Sequence, residues 1–140
     1  MIARPIIIVD DDKDDQEIIE ETIRSIGIEN EIKFFDDCRK VLDYLSTTKD
    51  QPFVIISDIN LPIMSGLELR ERIEKDPYLK DKSIPFIFLS TAASHIAIRD
   101  AYRLTVQGFF QKPASIVELQ NMIRTIFTYW EICRHPNDPK

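Results

Sequence analysis

Four clusters in this chain have residue types suited to chemistry, and each follows an apolar run. Asp10, Asp11 and Asp12 follow Ile6–Val9, and Asp58 follows 53–56 with Asn60 just beyond it. Ser90 and Thr91 follow 84–89, and Lys112 follows 108–111. Carboxylates held close together repel, so such a group raises a pKa or recruits a cation. Oxygen ligands without His or Cys favour a hard ion such as Mg2+. A hydroxyl and an ammonium beside them suit an anionic phosphoryl group with its metal, because each phosphoryl oxygen then gains a charged or hydrogen-bonding partner. Taken alone, the Asp run reads more simply as a solvated helix start stabilised by the macrodipole. A lone Ser after a strand is usually a turn residue, and a lone Lys is usually solvated. The reading therefore rests on whether the elements bring these groups together.

Those elements are legible from apolar spacing. Ile6–Val9 is a continuous β-branched run, as in a strand buried on both faces, and Pro5 stands where a strand tolerates proline. Residues 12–26 carry Ile18, Ile19, Ile23 and Ile26 at helical spacing, with Gly27 as the stop. A short strand is expected over 32–35, then a helix capped by Asp36 or Asp37 with Val41, Leu42 and Leu45 on its core face. After the third strand, residues 66–75 read as a helix ended by Asp76-Pro77. A fourth strand at 84–89, a helix over 93–104 and a fifth strand at 108–111 follow. Ser115 and Glu118 form a capping box ahead of a long stripe (Ile116, Leu119, Met122, Ile123, Ile126, Phe127) that continues to Trp130. Residues 134–140 read as a frayed tail.

Strands alternating with helices five times over predict an α/β fold: a doubly wound (βα)5 domain on a five-stranded parallel sheet of flavodoxin-like order 2-1-3-4-5. In that order the first and third strands are neighbours and flank the topological switch point. The Asp run and Asp58 would then share one edge with Ser90 and Lys112.

Composition narrows the function classes. With 140 residues the chain has the size of one domain. No apolar run approaches the length needed to span a bilayer, so membrane insertion is not expected. The two cysteines, Cys38 and Cys133, lack His partners at ligand spacing and fit a reducing, cytoplasmic setting. The net charge of −6 argues against nucleic acid as a direct partner. It is uneven, with 19 acids and 10 bases over residues 1–76 and 5 acids and 8 bases over residues 77–140.

Over residues 4–131 the chain resembles the receiver domain of two-component response regulators, of the single-domain chemotaxis type. The segments that carry this are Ile-Val-Asp-Asp-Asp at 8–12, Asp-Ile-Asn-Leu-Pro-Ile-Met-Ser-Gly at 58–66, Leu-Ser-Thr-Ala at 89–92 and Phe-Gln-Lys-Pro at 110–113. Four such pieces in the right order at matching strand ends make a specific signal. The resemblance implies that Asp58 is the phosphoacceptor and takes its phosphoryl group from a phosphohistidine donor. It implies that Asp11 binds Mg2+ directly and Asp10 directly or through water, together with Asp58 and the backbone carbonyl of Asn60. Ser90 then fits the switch hydroxyl, with Thr91 beside it as the competing candidate. Lys112 fits the phosphate-pairing lysine, and Phe109, where Tyr is frequent, takes the aromatic switch position. A cis Lys112–Pro113 bond, common in that family, is also expected.

The implied protein is a phosphoacceptor switch rather than a classical enzyme. It has a receiver at 1–131, a tail at 132–140 and no output domain. Its expected partners are a sensor histidine kinase or phosphotransfer protein and a downstream protein target, contacted through the face built from residues 93–131. Tyr129 and Trp130 are candidates for that contact or for a homodimer, and equally for an extension of the core stripe.

Three rivals share the pattern. A haloacid-dehalogenase-like phosphatase would use Asp10 in an Asp-x-Asp motif, but Asp14 stands where such enzymes carry Thr or Val, and no acidic pair follows the fourth strand. A nucleotide or flavin binder needs a Gly- or Thr-rich phosphate loop, whereas 10–15 reads Asp-Asp-Asp-Lys-Asp-Asp. A phosphorylation-independent docking module would not need all five functional residue types retained.

Overall fold

The computed structural model describes residues 3–137. Its strands are β1 (Ile6–Val9), β2 (Ile32–Phe35), β3 (Val54–Ser57), β4 (Phe86–Ser90) and β5 (Gly108–Gln111). The helices are α1 (Lys13–Ser25), α2 (Cys38–Thr47), α3 (Gly66–Lys75), α4 (Pro77–Asp81), α5 (His95–Arg103) and α6 (Ile116–Ile132). The sheet has the order β2-β1-β3-β4-β5 with every pair parallel, the doubly wound topology expected from the sequence.

Period-2 alternation divides the apolar strand residues between two helical layers. Ile6, Ile8, Val54, Ile56, Ile87 and Leu89 pack with Ile19 and Ile23 of α1 and with Leu119, Ile123, Ile126 and Phe127 of α6. Ile7, Val9, Ile55, Phe86 and Phe88 face Val41 and Leu45 of α2, Leu69 and Ile73 of α3, and Ala101 of α5. The inner strands β1, β3 and β4 are buried along their whole length. Each such side chain contributes roughly 1.5–3 kcal/mol. The sheet is thus a rigid base for whatever leaves its carboxyl edge.

Register decides which groups leave together. Val9 pairs with Ser57, so Asp10 and Asp58 emerge side by side, and Ser90 pairs with Gln111, which brings Lys112 next to them. The backbone amide of Asp58 donates to the carbonyl of Val9, and that of Lys112 donates to the carbonyl of Ser90. These bonds extend the ladders one residue into the loops.

Two expectations need correction, and one helix is added to those expected. Helix α3 ends at Asp76-Pro77 as expected, and the added helix is α4: Asp76 is extended (φ −93°, ψ 114°) and caps it, with Pro77 in its first turn. Proline excludes the preceding residue from helix but suits a helix start, so the same dipeptide closes one helix and opens another. The Lys112–Pro113 bond is trans, since no cis peptide occurs among the described residues. An X-Pro bond favours trans by about 0.5–1 kcal/mol when nothing else decides.

The second correction concerns the tail at 134–140. His135 is buried, accepts at Nδ1 from Arg4 (2.8 Å) and donates from Nε2 to the carbonyl of Phe53 (2.6 Å). Asn137 donates to the carbonyl of Lys82, so the segment is docked; residues 138–140 lie outside the described residues. Between the two readings left open for the end of α6, Trp130 belongs to the core, whereas Tyr129 is exposed.

Candidate functional site

At the carboxyl edge, Asp10 sits on the end of β1 and is almost wholly buried. One carboxylate oxygen accepts from the backbone amide of Asp12 (2.9 Å), and the other meets Lys112 Nζ at 2.8 Å. The Gln16 side chain donates to the carbonyl of Asp10 (2.6 Å), which fixes the turn into α1. Burial holds the Asp10 carboxyl above the ordinary carboxylate range, although the hydrogen bond from Lys112 works against that rise.

Asp58, on the end of β3, is also largely buried. Its Oδ1 accepts from the amide of Ile59 (2.7 Å) and from the hydroxyl of Ser90 (2.5 Å), and its Oδ2 meets Lys112 Nζ at 3.2 Å. The loop beyond is tight. The Gly66 amide donates to the carbonyl of Ile59 (2.8 Å), and a Cβ on Gly66 would stand 2.1 Å from the carbonyl oxygen of Asp58. Only glycine permits that approach. Ile63 holds φ at +73° while its side chain is exposed, a conformation that a β-branched residue disfavours.

Ser90 and Thr91 are separated clearly. Ser90 is fully buried and bonded to Asp58, whereas Thr91 is exposed. Phe109 is half-buried, with its ring tilted at 47° against Phe88 at a 6.0 Å centroid separation. Asn60 lies exposed in the loop after Asp58.

Lys112 is the convergence point. Its ammonium touches Asp10, Asp58 and Asp15, the last at 2.8 Å. Burial works against the charged form, but the hydrogen bonds it donates to Asp10 and Asp15 and the charges of Asp10 and Asp58 outweigh it, so its pKa rises above the ordinary lysine value. Asp15 and Gln16 are not residues that the sequence singles out. The signal available is positional, because the first turn of a helix that opens at the site points its side chains back toward the site.

One oxygen each from Asp10, Asp11 and Asp58 lie within 4.8 Å of one another. This all-carboxylate set, two members buried and one exposed, fits a hard divalent cation and offers nothing to a soft one.

Residues 6–124 match the family described as "Response regulator receiver domain". The chain belongs to the response regulator receiver family. Among curated relatives it is 26% identical to "Response regulator Rcp1" of Synechocystis over 130 residues, covering 89% of this chain and 87% of the relative. It is 29% identical over 122 residues to "Chemotaxis protein CheY-3" of Vibrio cholerae, covering 87% and 90%. Among solved structures, the phosphorylated cyanobacterial phytochrome response regulator RcpA superposes with a TM-score of 0.87 at 27% identity, over 96% of this chain and 99% of that one. The Mn2+-bound form of Rcp1 gives 0.85 at 25% identity, over 95% and 99%. Receivers are switches in two-component signalling, and the acidic edge built above occupies the carboxyl ends of the strands in that shared fold.

Proposed function

We propose that this receiver accepts a phosphoryl group on Asp58 from a phosphohistidine, carried by a sensor histidine kinase or phosphotransfer protein. The observation that carries the reading is the contact of one buried ammonium, Lys112, with both Asp10 and Asp58, while Ser90 holds the other oxygen of Asp58. A carboxylate so held is oriented but not neutralised, which is what a nucleophile requires. Asp10 is a poorer nucleophile, since it lies deeper, 2% exposed against 9% for Asp58.

In the transfer, an oxygen of Asp58 attacks phosphorus in line. The P–O bond forms as the P–N bond of the donor breaks, and the electron pair of that bond returns to the imidazole. Lys112 stabilises the charge on the phosphoryl oxygens, and positioning supplies most of the acceleration. A Mg2+ ion held by Asp10, Asp11, Asp58 and the Asn60 carbonyl would neutralise the carboxylate and phosphoryl charge. Attack of water on phosphorus later returns the carboxylate and releases phosphate.

The output is a change of protein contacts on the face built from residues 93–131. Ser90 leaves Asp58 for the phosphoryl group, and Phe109 follows the hydroxyl. Supporting this, Phe109 lines a cleft of about 330 Å³ between α5 and α6 together with Tyr102 and Tyr129. A downstream protein or a second copy of the chain would read that cleft by binding one of two states better. On this reading the receiver spans 1–131.

Incubation with acetyl phosphate and Mg2+, followed by intact mass, tests the proposal. One phosphoryl group is expected on the native chain, none on Asp58→Asn, and little when EDTA is present. Label that survives in Asp58→Asn but is lost in Asp10→Asn would move the nucleophile to Asp10 and establish the phosphatase-like alternative.

A further inference from the structure

A lysine ammonium has three hydrogens to donate. Here they meet three carboxylates, Asp10 and Asp15 at 2.8 Å and Asp58 at 3.2 Å. Two of these belong to the cluster suited to a cation, and Asp15 does not. A cation seated on Asp10 and Asp58 takes up their charge and repels the ammonium, which weakens two of its three ion pairs. Asp15 keeps its full charge. It stands in the first turn of α1, where its own backbone amide donates to the capping carboxylate of Asp12 (3.2 Å), so its position is set by a helix and not by a loop.

We propose that Asp15 is a positioning residue, a carboxylate outside the cation cluster that keeps the Lys112 ammonium at Asp58 once a cation has engaged Asp10 and Asp58. This rests on the phosphoacceptor reading of Asp58. It assigns to Asp15 work that the neighbouring acid Asp14 does not share, because Asp14 is exposed in the same helical turn and makes no ion pair with Lys112. Helix-dipole and net-charge effects are common to both acids, so comparing the two isolates the contact.

Two readouts on the native chain, Asp15→Asn and Asp14→Asn test this. In the first, the side-chain ammonium signal of Lys112, assigned by its loss in Lys112→Arg, is recorded by 15N–1H NMR with Mg2+ present. A hydrogen-bonded, shielded ammonium exchanges slowly enough to be seen. The signal is expected in the native chain and in Asp14→Asn and absent in Asp15→Asn, with the amide spectrum of the same sample reporting the fold. In the second, the rate of labelling by acetyl phosphate at saturating Mg2+ is expected to fall about tenfold in Asp15→Asn, the scale of one charge-assisted hydrogen bond, and to stay near native in Asp14→Asn. Persistence of the Lys112 signal in Asp15→Asn, its absence from the native chain, or an unchanged labelling rate would overturn the role of Asp15. An unlabelled native chain would instead sink the phosphoacceptor reading, and the ammonium signal would still decide whether Asp15 holds Lys112.

Discussion

Ser90 shows how much one buried hydroxyl can hold. Its single proton goes to Asp58 Oδ1, and its oxygen accepts from the amides of Ala92 (3.2 Å) and Ile59 (3.4 Å). Removing it takes the partner from the amide of Ala92 and leaves Asp58 Oδ1 with the amide of Ile59 alone, and an unmade buried hydrogen bond costs more than a made one contributes. Ser90→Ala is therefore expected to lower unfolding stability by about 1–3 kcal/mol. Thr91→Ala should change it by less than about 0.5 kcal/mol. Urea unfolding of both variants checks the pair, and equal losses would mean that the two hydroxyls share the role. The sequence leaves this choice open for a physical reason. Strand alternation sends adjacent side chains to opposite faces, but the phase at the last strand residue depends on where pairing stops. Here β4 runs through Ser90, one residue beyond the apolar run that announces it. Asp15 is hidden differently, as one acid among several in an acidic helix start, and only the reach of Lys112 from β5 singles it out.

Among the elements, the β3–α3 loop is the most constrained. Its turn brings Gly66 against the carbonyl of Asp58 and the ring of Phe88, where an added Cβ would lie 2.1 Å and 2.9 Å from its neighbours. Neither neighbour can yield easily, since one is backbone beside the site and the other is a fully buried ring. Gly66→Ala is expected to cost about 3 kcal/mol, the upper part of the range for overpacking. It should also slow labelling of Asp58, because relief requires the Asp58 backbone to shift. A variant with native stability and native labelling would show that the loop is looser than this packing implies. Gly66 is readable as a loop residue from its place between Pro62 and the next apolar stripe, but its reason is not, because the contact is with backbone and leaves no pattern. The inner strands are readable because continuous β-branched runs have few other homes. The start of α5 is not, and it forms from His95 where the sequence reading places it at 93. Ser94 caps it by accepting from the amide of Ala97, a local hydrogen bond that outweighs hydrophobic spacing at a helix end.

At the scale of the whole molecule, the two ends of the sheet carry different work. The carboxyl edge gathers Asp10, Asp11, Asp58, Ser90 and Lys112, while the amino edge is closed by the segment after α6. There His135 stacks on Phe53 (4.9 Å between centroids, 12° between planes) and meets the edge of Trp130 at 5.7 Å. Because Arg4 and the amide of Asn137 both donate to Nδ1, the ring proton resides on Nε2 and serves the carbonyl of Phe53, just ahead of β3. Polar composition makes this segment read as loose. A single buried imidazole that satisfies backbone on one side and Arg4 on the other is enough to dock it. Truncation to alanine removes the ring stack and strands those partners, so His135→Ala is expected to lower stability by about 2 kcal/mol. The labelling rate at Asp58 should not change, since a rigid, fully paired sheet separates the two edges and loosening one end leaves the register at the other intact. Thermal unfolding and acetyl phosphate labelling of the same preparation read both expectations. A slowed rate with unchanged stability would mean that the amino edge communicates with the carboxyl edge and is part of the switch.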